Sequence, residues 1–241
     1  MTKLLKHTGL AALALLFATG CQIGQDMNRN WQQFNQIVDL VSSGGSHSSV
    51  ARGTVEANPF ASMGFRYGNS PQAFISLAQS QSGRLFWVSR DGLTIVTEHG
   101  RIVRTAGFPG NLTGGKSTTK DPLSLPHSTD WTDYPFFRIL DFKDDFGYGH
   151  RMECSLKDLG TEEITILGRT FTARKFAEPC RVPTLKWSFE NTHWLDANTG
   201  FVWRTRQWIS PGIKKPIELE VLRPAAEDPA WQVHSALTTA Y

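Results

Sequence analysis

From residue 59 onward the chain is a succession of short runs in which aromatic and β-branched residues alternate with polar ones, each run closed by turn residues. The runs are ASMGFRYG from 61, AFISLAQ from 73, GRLFWVSR from 83 and LTIVTEHGRIVRTAG from 93. FFRILDF from 136, HRMECSL from 150, EEITILGRTFTARKFAE from 162 and TLKWSFENTHWLD from 184 follow, then GFVWRTRQWIS from 200 and PIELEVLRP from 216. Two of these are hairpins, turned at His99–Gly100 and at Leu167–Gly168. Period-two alternation with almost no helical periodicity predicts an all-β fold. Short connections favour an antiparallel β-barrel or strongly curved sheet of about eleven strands. A two-sheet sandwich is the alternative.

The amino terminus has a different character. Lys3 and Lys6 precede an apolar run, Leu10 to Ala18, which is shorter than the roughly 20 residues a spanning helix needs. Small residues then lead to Cys21, the layout of a secretory signal ending in what resembles a bacterial lipobox. Ala18 departs from the Leu more usual in such signals. Cys21 is the expected lipidation site, and two or more acyl chains there give a stable membrane anchor. Gln22, rather than Asp, favours the outer membrane, with the protein facing the periplasm. Trp31, Phe34, Ile37, Val38 and Val41 fall on one helical stripe and predict one N-terminal amphipathic helix that docks on the body. SSGGSHSS, 42–49, reads as a flexible linker. The expected organisation is a signal peptide over 1–20, a lipidated tether with helix and linker over 21–58, and a single β-barrel-like domain over 59–241.

An exported chain meets an oxidising compartment, so Cys154 and Cys180 are expected to form a disulfide rather than a metal site or thiol catalyst. Removing the signal takes away Lys3 and Lys6 and no acid, so the net charge falls from +3 to +1. No clustered basic field exists to hold nucleic acid. Neither GxGxxG nor GxxxxGK[ST] occurs, and no cofactor is implied. Asp141, Asp144 and Asp145 lack the spacing of a calcium loop and read as a solvated acidic turn. The histidines show neither HxxxH nor HExxH, so no metal site is expected. No GxSxG elbow is present and no carboxylate pair stands out, so the chain is not read as an enzyme. The stretch between Ala106 and Trp131, rich in Gly, Pro, Ser and Thr, reads as a long loop without secondary structure.

The richest stretch is HWLDANTGFVWRTRQW, 193–208. Strand alternation places Phe201, Trp203, Thr205, Gln207 and Ile209 on one side, and Val202, Arg204, Arg206 and Trp208 on the other. Neither side is purely apolar. Rings mixed with Arg, Asp and Gln suit a wall that binds sugar. The plainer reading lays Arg204 over a tryptophan face. Replacing Trp203 by Ala is expected to weaken sugar binding and leave the fold intact.

Three segments carry a family resemblance: ANPFASMGFRYGNSPQAFISLAQ, LFWVSRDGLTIVTEHGRIVRTAGFPGNL and HWLDANTGFVWRTRQWISP. Together they resemble the YjbF/GfcB family of outer-membrane lipoproteins linked to exopolysaccharide and group 4 capsule production. The resemblance runs from about Pro59 to Pro224 and brings no catalytic residues with it. It implies a β-barrel-like lipoprotein, non-enzymatic, that assists polysaccharide production or export by binding the polymer or the export proteins. Arg66, Trp194, Trp203 and Arg204 are the candidate contact residues. A barrel-type carrier of lipid or lipoprotein is the alternative. A polysaccharide-modifying enzyme ranks below both.

Overall fold

The computed structural model describes residues 49–125, 134–143 and 146–239. Cys21 and the stripe from Trp31 to Val41, with the helix expected there, lie outside the described residues. The first five strands form one meander: β1 (Ser62–Tyr67), β2 (Ala73–Gln81), β3 (Arg84–Ser89), β4 (Thr94–Glu98) and β5 (Arg101–Ala106). A second meander holds β6 (Leu112–Ser117), β7 (Tyr134–Phe142), β8 (His150–Ile166), β9 (Arg169–Val182), β10 (Trp187–Asp196), β11 (Val202–Gln207) and β12 (Ile217–Arg223). Antiparallel pairing of β1 with β12, Phe65 opposite Leu219, joins the two into one 12-stranded sheet. Its ends are β5 and β6, consecutive in the chain. The sheet therefore curls into a nearly closed barrel with a seam between them.

The all-β expectation holds, and both expected hairpins turn where the sequence places them. His99 and Gly100 have φ of 49° and 77°, Leu167 and Gly168 of 48° and 73°. Positive φ at both central residues is the type I′ geometry that matches strand twist. Gly100 has a second reason to be glycine, since a Cβ there would lie 2.7 Å from the Val202 side chain. The described residues form twelve strands, one more than the roughly eleven expected. The runs from 150 and 162 form a single strand of 17 residues, and β6 arises in the stretch expected to be a structureless loop. That strand, LTGGKS, has low β propensity and is held by its ladder to β7.

Among the described residues two α-helices rest against the sheet. α1 (Arg52–Ala57) lies within the stretch assigned to tether and linker. It is fixed where Val50 N donates to Gln72 Oε1 (3.0 Å) and Arg223 Nη2 donates to the Val55 carbonyl (2.9 Å). α2 (Pro229–Thr239) was not foreseen from the sequence. Asp228 starts it, accepting from Ala230 N at 2.9 Å, the local bond that caps helices. Phe108, Phe136, Phe142 and Ile217 are fully buried in the main core, each contributing about 1.5–3 kcal/mol.

Cys154 and Cys180 form the expected disulfide, with an S–S distance of 2.03 Å. They sit directly opposite one another on β8 and β9. The bridge spans 26 residues, for which loop-closure entropy gives about 3.5 kcal/mol of stabilisation.

Candidate functional site

The β10–β11 hairpin carries a bulge. His193 pairs with Thr205 and Trp194 with Arg204, but Leu195 then pairs with Val202. A bulge interrupts the alternation of side chains, so the strict reading of one shared side from Phe201 to Ile209 fails at Trp203. Thr205 and Gln207 enter a buried polar network. Trp203 instead stacks on Phe171, with ring centroids 4.2 Å apart, and meets Trp231 of α2 at 6.1 Å. Val202 joins a small separate cluster with Leu123, Leu156, Phe176 and Leu195.

The other three candidate residues fall in adjacent cross-strand rows. Trp194, Arg204, Glu220 and Gly64 lie side by side on β10, β11, β12 and β1, and Arg206, Glu218 and Arg66 form the next row. Arg204 Nε donates to Glu220 at 2.7 Å, and its guanidinium lies 5.8 Å from the Trp194 ring centroid. The plainer reading of Arg204 is thus the observed one. Lys175 Nζ covers the same ring at 5.4 Å, and the indole N–H donates to Glu162. Arg66 pairs with Glu218 at 3.7 Å and donates to Ser49 and to the Ser70 carbonyl. Trp194 is 9% exposed, so these three residues form a charge-covered band rather than an open ring surface.

Trp203 lines something different. A slot of about 470 Å³ opens between α1, the β8–β9 turn, β12 and α2. Ile166, Phe171, Trp203, Val221, Leu222 and Trp231 make its apolar wall, while Arg52, Glu56, Arg169 and Arg223 stand at its rim. Trp231 and Phe171 are partly exposed. Behind them Trp203 is 5% exposed and His234 stacks on Trp231 at 4.8 Å. His234 Nδ1 is paired with the Thr199 hydroxyl (2.6 Å). Burial holds its pKa below the ordinary 6.5, with Asp196 opposing. Trp203 is therefore the floor of the site, and its replacement by Ala would remove packing worth about 3–5 kcal/mol. The burial of Trp203 makes this variant a probe of stability as well as of binding.

Polar residues of the same hairpin meet charges from distant strands. Glu178 on β9 accepts from Arg101 Nη1 (2.8 Å) and Asn191 Nδ2 (3.2 Å), and pairs with His193 Nε2 (2.6 Å). Thr205 Oγ1 lies 2.8 Å from His193 Nδ1. Gln207 reaches across to β5, accepting from Ile102 N (3.1 Å) and donating to the Gly100 carbonyl (3.0 Å). Burial pushes the Glu178 carboxyl up, but Arg101 and then His193 outweigh it and hold it well below the usual range. Thr205, His193 and Glu178 stand in the order of a hydrolytic relay. All three are buried, His193 and Glu178 at 0% exposure, so no substrate reaches the hydroxyl. Cys154, Glu178 and Cys180 also converge, but both sulfurs are used in the disulfide.

The candidate residues therefore do not form one site. Phe171, Trp231 and the rim arginines were not singled out from the sequence, because strands, a turn and an unforeseen helix bring them together. Glu178 had a visible signal: an acid in a strand, in phase with Phe176, Cys180 and Val182.

Residues 33–222 match the sequence profile of the YjbF family, described as group 4 capsule polysaccharide lipoprotein GfcB, YjbF. The chain is 26% identical over 181 residues to the uncharacterized lipoprotein GfcB of Escherichia coli K12, covering 73% of this chain and 82% of that protein. It is 25% identical over 165 residues to the uncharacterized lipoprotein YjbF of the same strain, covering 64% and 72% respectively. The crystal structure of the hypothetical lipoprotein YmcC from Escherichia coli K12 superposes with a TM-score of 0.65 at 22% identity. That superposition covers 91% of this chain and 99% of YmcC, and so shares the fold. With the profile matched over most of its length, the chain belongs to the YjbF/GfcB family of capsule-polysaccharide lipoproteins.

Proposed function

We propose that this protein is a non-enzymatic accessory of capsule or exopolysaccharide production that holds a segment of the polymer in the slot between α1 and α2. It is anchored through lipidated Cys21 at the outer membrane and faces the periplasm. The observation that carries this reading is the slot itself. Partly exposed rings of Trp231 and Phe171, backed by Trp203, offer flat apolar surface. Arg52, Glu56, Arg169 and Arg223 at the rim supply hydrogen bonds for hydroxyls. Sugar sites combine these two features. Membership of a family of capsule polysaccharide lipoproteins supports the same substrate class.

An apolar wall with a cationic rim also fits an acyl chain with an acidic head, so the carrier reading is tested beside it. Tryptophan fluorescence of the full chain in detergent, titrated with oligosaccharides of the producing strain's polymer and with a long-chain fatty acid, separates the two. A saturable response to sugar that disappears in Trp231→Ala supports the proposal. A folded Trp231→Ala variant that binds sugar like the parent, or a response to fatty acid alone, overturns it.

A further inference from the structure

A second cleft, of about 410 Å³, lies at the barrel seam and shares no lining residue with the slot. Its wall holds four cations, Arg84, Arg101, Lys116 and Arg138, and two acids, Glu98 and Asp121. Most of these charges already have partners. Arg84 pairs with Glu98 at 3.2 Å. Arg101 is held between Glu178 at 2.8 Å and Asp121 at 2.5 Å.

Lys116 is exposed and makes no ion pair among the described residues, and Arg138 is the buried exception. It takes an apolar position on β7, between Phe136 and Leu140, and is 4% exposed. Among the described residues its guanidinium makes one hydrogen bond, from Nη2 to the Ile102 carbonyl at a long 3.4 Å, and Nε has no partner. A guanidinium offers five N–H donors, and a buried one left unmet, as at Nε, is costly. The chain nevertheless makes room for it, since a Cβ on Gly115 would lie 2.6 Å from Arg138 Nη2. Burial and then the neighbouring Arg101 draw Arg138 down to about 10, still charged at neutral pH. Lys116 stands exposed at the same cleft.

We propose that the seam cleft binds the carboxylate of an acidic sugar, with Arg138 and Lys116 as its cationic partners. The charge balance selects this class of ligand. Counting Glu178 behind Arg101, the cleft carries one excess positive charge, which one carboxylate neutralises and a phosphate dianion would exceed. Asp121 and Glu98 would repel a second negative charge but accept hydrogen bonds from ring hydroxyls. Ser117 and Ser124 complete the lining with hydroxyls of their own. Guanidinium and carboxylate fit one another in a forked, two-bond geometry.

The inference deepens the glycan-binding reading by naming an acidic polymer, yet its test does not use the slot. The full chain in detergent is titrated calorimetrically with glucuronate, with glucose and inorganic phosphate in parallel. Glucuronate is expected to bind saturably, glucose not at all, and phosphate more weakly. Lys116→Glu, at an exposed position, is expected to weaken glucuronate about tenfold while leaving the melting temperature unchanged. Arg138→Met is expected to abolish binding, and should that variant fail to fold, Lys116→Glu still decides the matter. Trp231→Ala is expected to bind glucuronate normally, which keeps a failure of the slot distinct from a failure of the cleft. Equal binding of glucose and glucuronate, tighter binding of phosphate, or an unaffected Lys116→Glu variant would overturn the proposal.

Discussion

Opposite parts of this sheet are held together by different physics. Around β8, β9 and β10 the strands are 17, 14 and 10 residues long and zipped by ladders, with a disulfide across the first pair. At the β5–β6 seam the work of the ladder passes to side chains. Gln207 supplies the amide group that a neighbouring strand would offer to Gly100 and Ile102. Arg138 reaches the Ile102 carbonyl, and Thr105 Oγ1 accepts from Leu112 N at 3.0 Å. Backbone ladders tolerate many sequences, whereas side-chain closure depends on a few residues. The seam is therefore the part of the barrel that single substitutions reach most easily.

The sharpest way to break the contrast is Glu178→Ala. It leaves Arg101 buried with half its counter-charge gone and strips His193 and Asn191 of their acceptor, a loss of about 3–5 kcal/mol. Chemical denaturation of the variant measures it, and a loss below about 1 kcal/mol would show that the seam does not depend on this network. Acid should act in the same direction. The carboxyl is depressed in the folded state, so its contribution is complete above the ordinary carboxylate range. That contribution falls away as pH drops toward the folded value.

Reduction of Cys154–Cys180 comes next, at about 3.5 kcal/mol from loop entropy. It should lower stability while hydrogen exchange at the seam keeps its relative rank. The smallest of the three is Gln207→Ala, which leaves Ile102 N and the Gly100 carbonyl without partners at about 1–3 kcal/mol. Amide exchange should quicken at Ile102 and stay slow along β8 and β9. Equal acceleration in both regions would mean that seam and ladder open as one unit.

Much of the sheet was legible because its turns are chemically explicit. His99–Gly100 and Leu167–Gly168 need positive φ and sit between alternating runs, so local sequence determines them. β6 was not legible, since Gly114 and Gly115 hide the strand pattern and the reason for Gly115 is an arginine on another strand. α2 carries a weak apolar periodicity, with Trp231 and His234 packed on Phe201 and on Trp203 of β11. The disulfide followed from the compartment and from having two cysteines left over. The candidate surface was read less well, because a bulge at Trp194/Leu195 moves Trp203 away from Thr205. Arg138 and Glu178 each interrupt an apolar phase of their strand, a signal that the sequence carries but that none of the expectations used.

The pairing of β1 with β12 also sets an order of assembly. Residues 62–67 find their partner at 217–223, so the first strand waits for the last. A chain delivered amino terminus first can complete the β1–β5 meander while the β1 edge still waits for its partner. Long-range pairing of this kind is slow because a large loop must close before any contact rewards it. The unpaired edge is meanwhile a template for other strands. Until its final strand arrives, the two meanders stay separate, and the first strand keeps a side on which a wrong neighbour can settle.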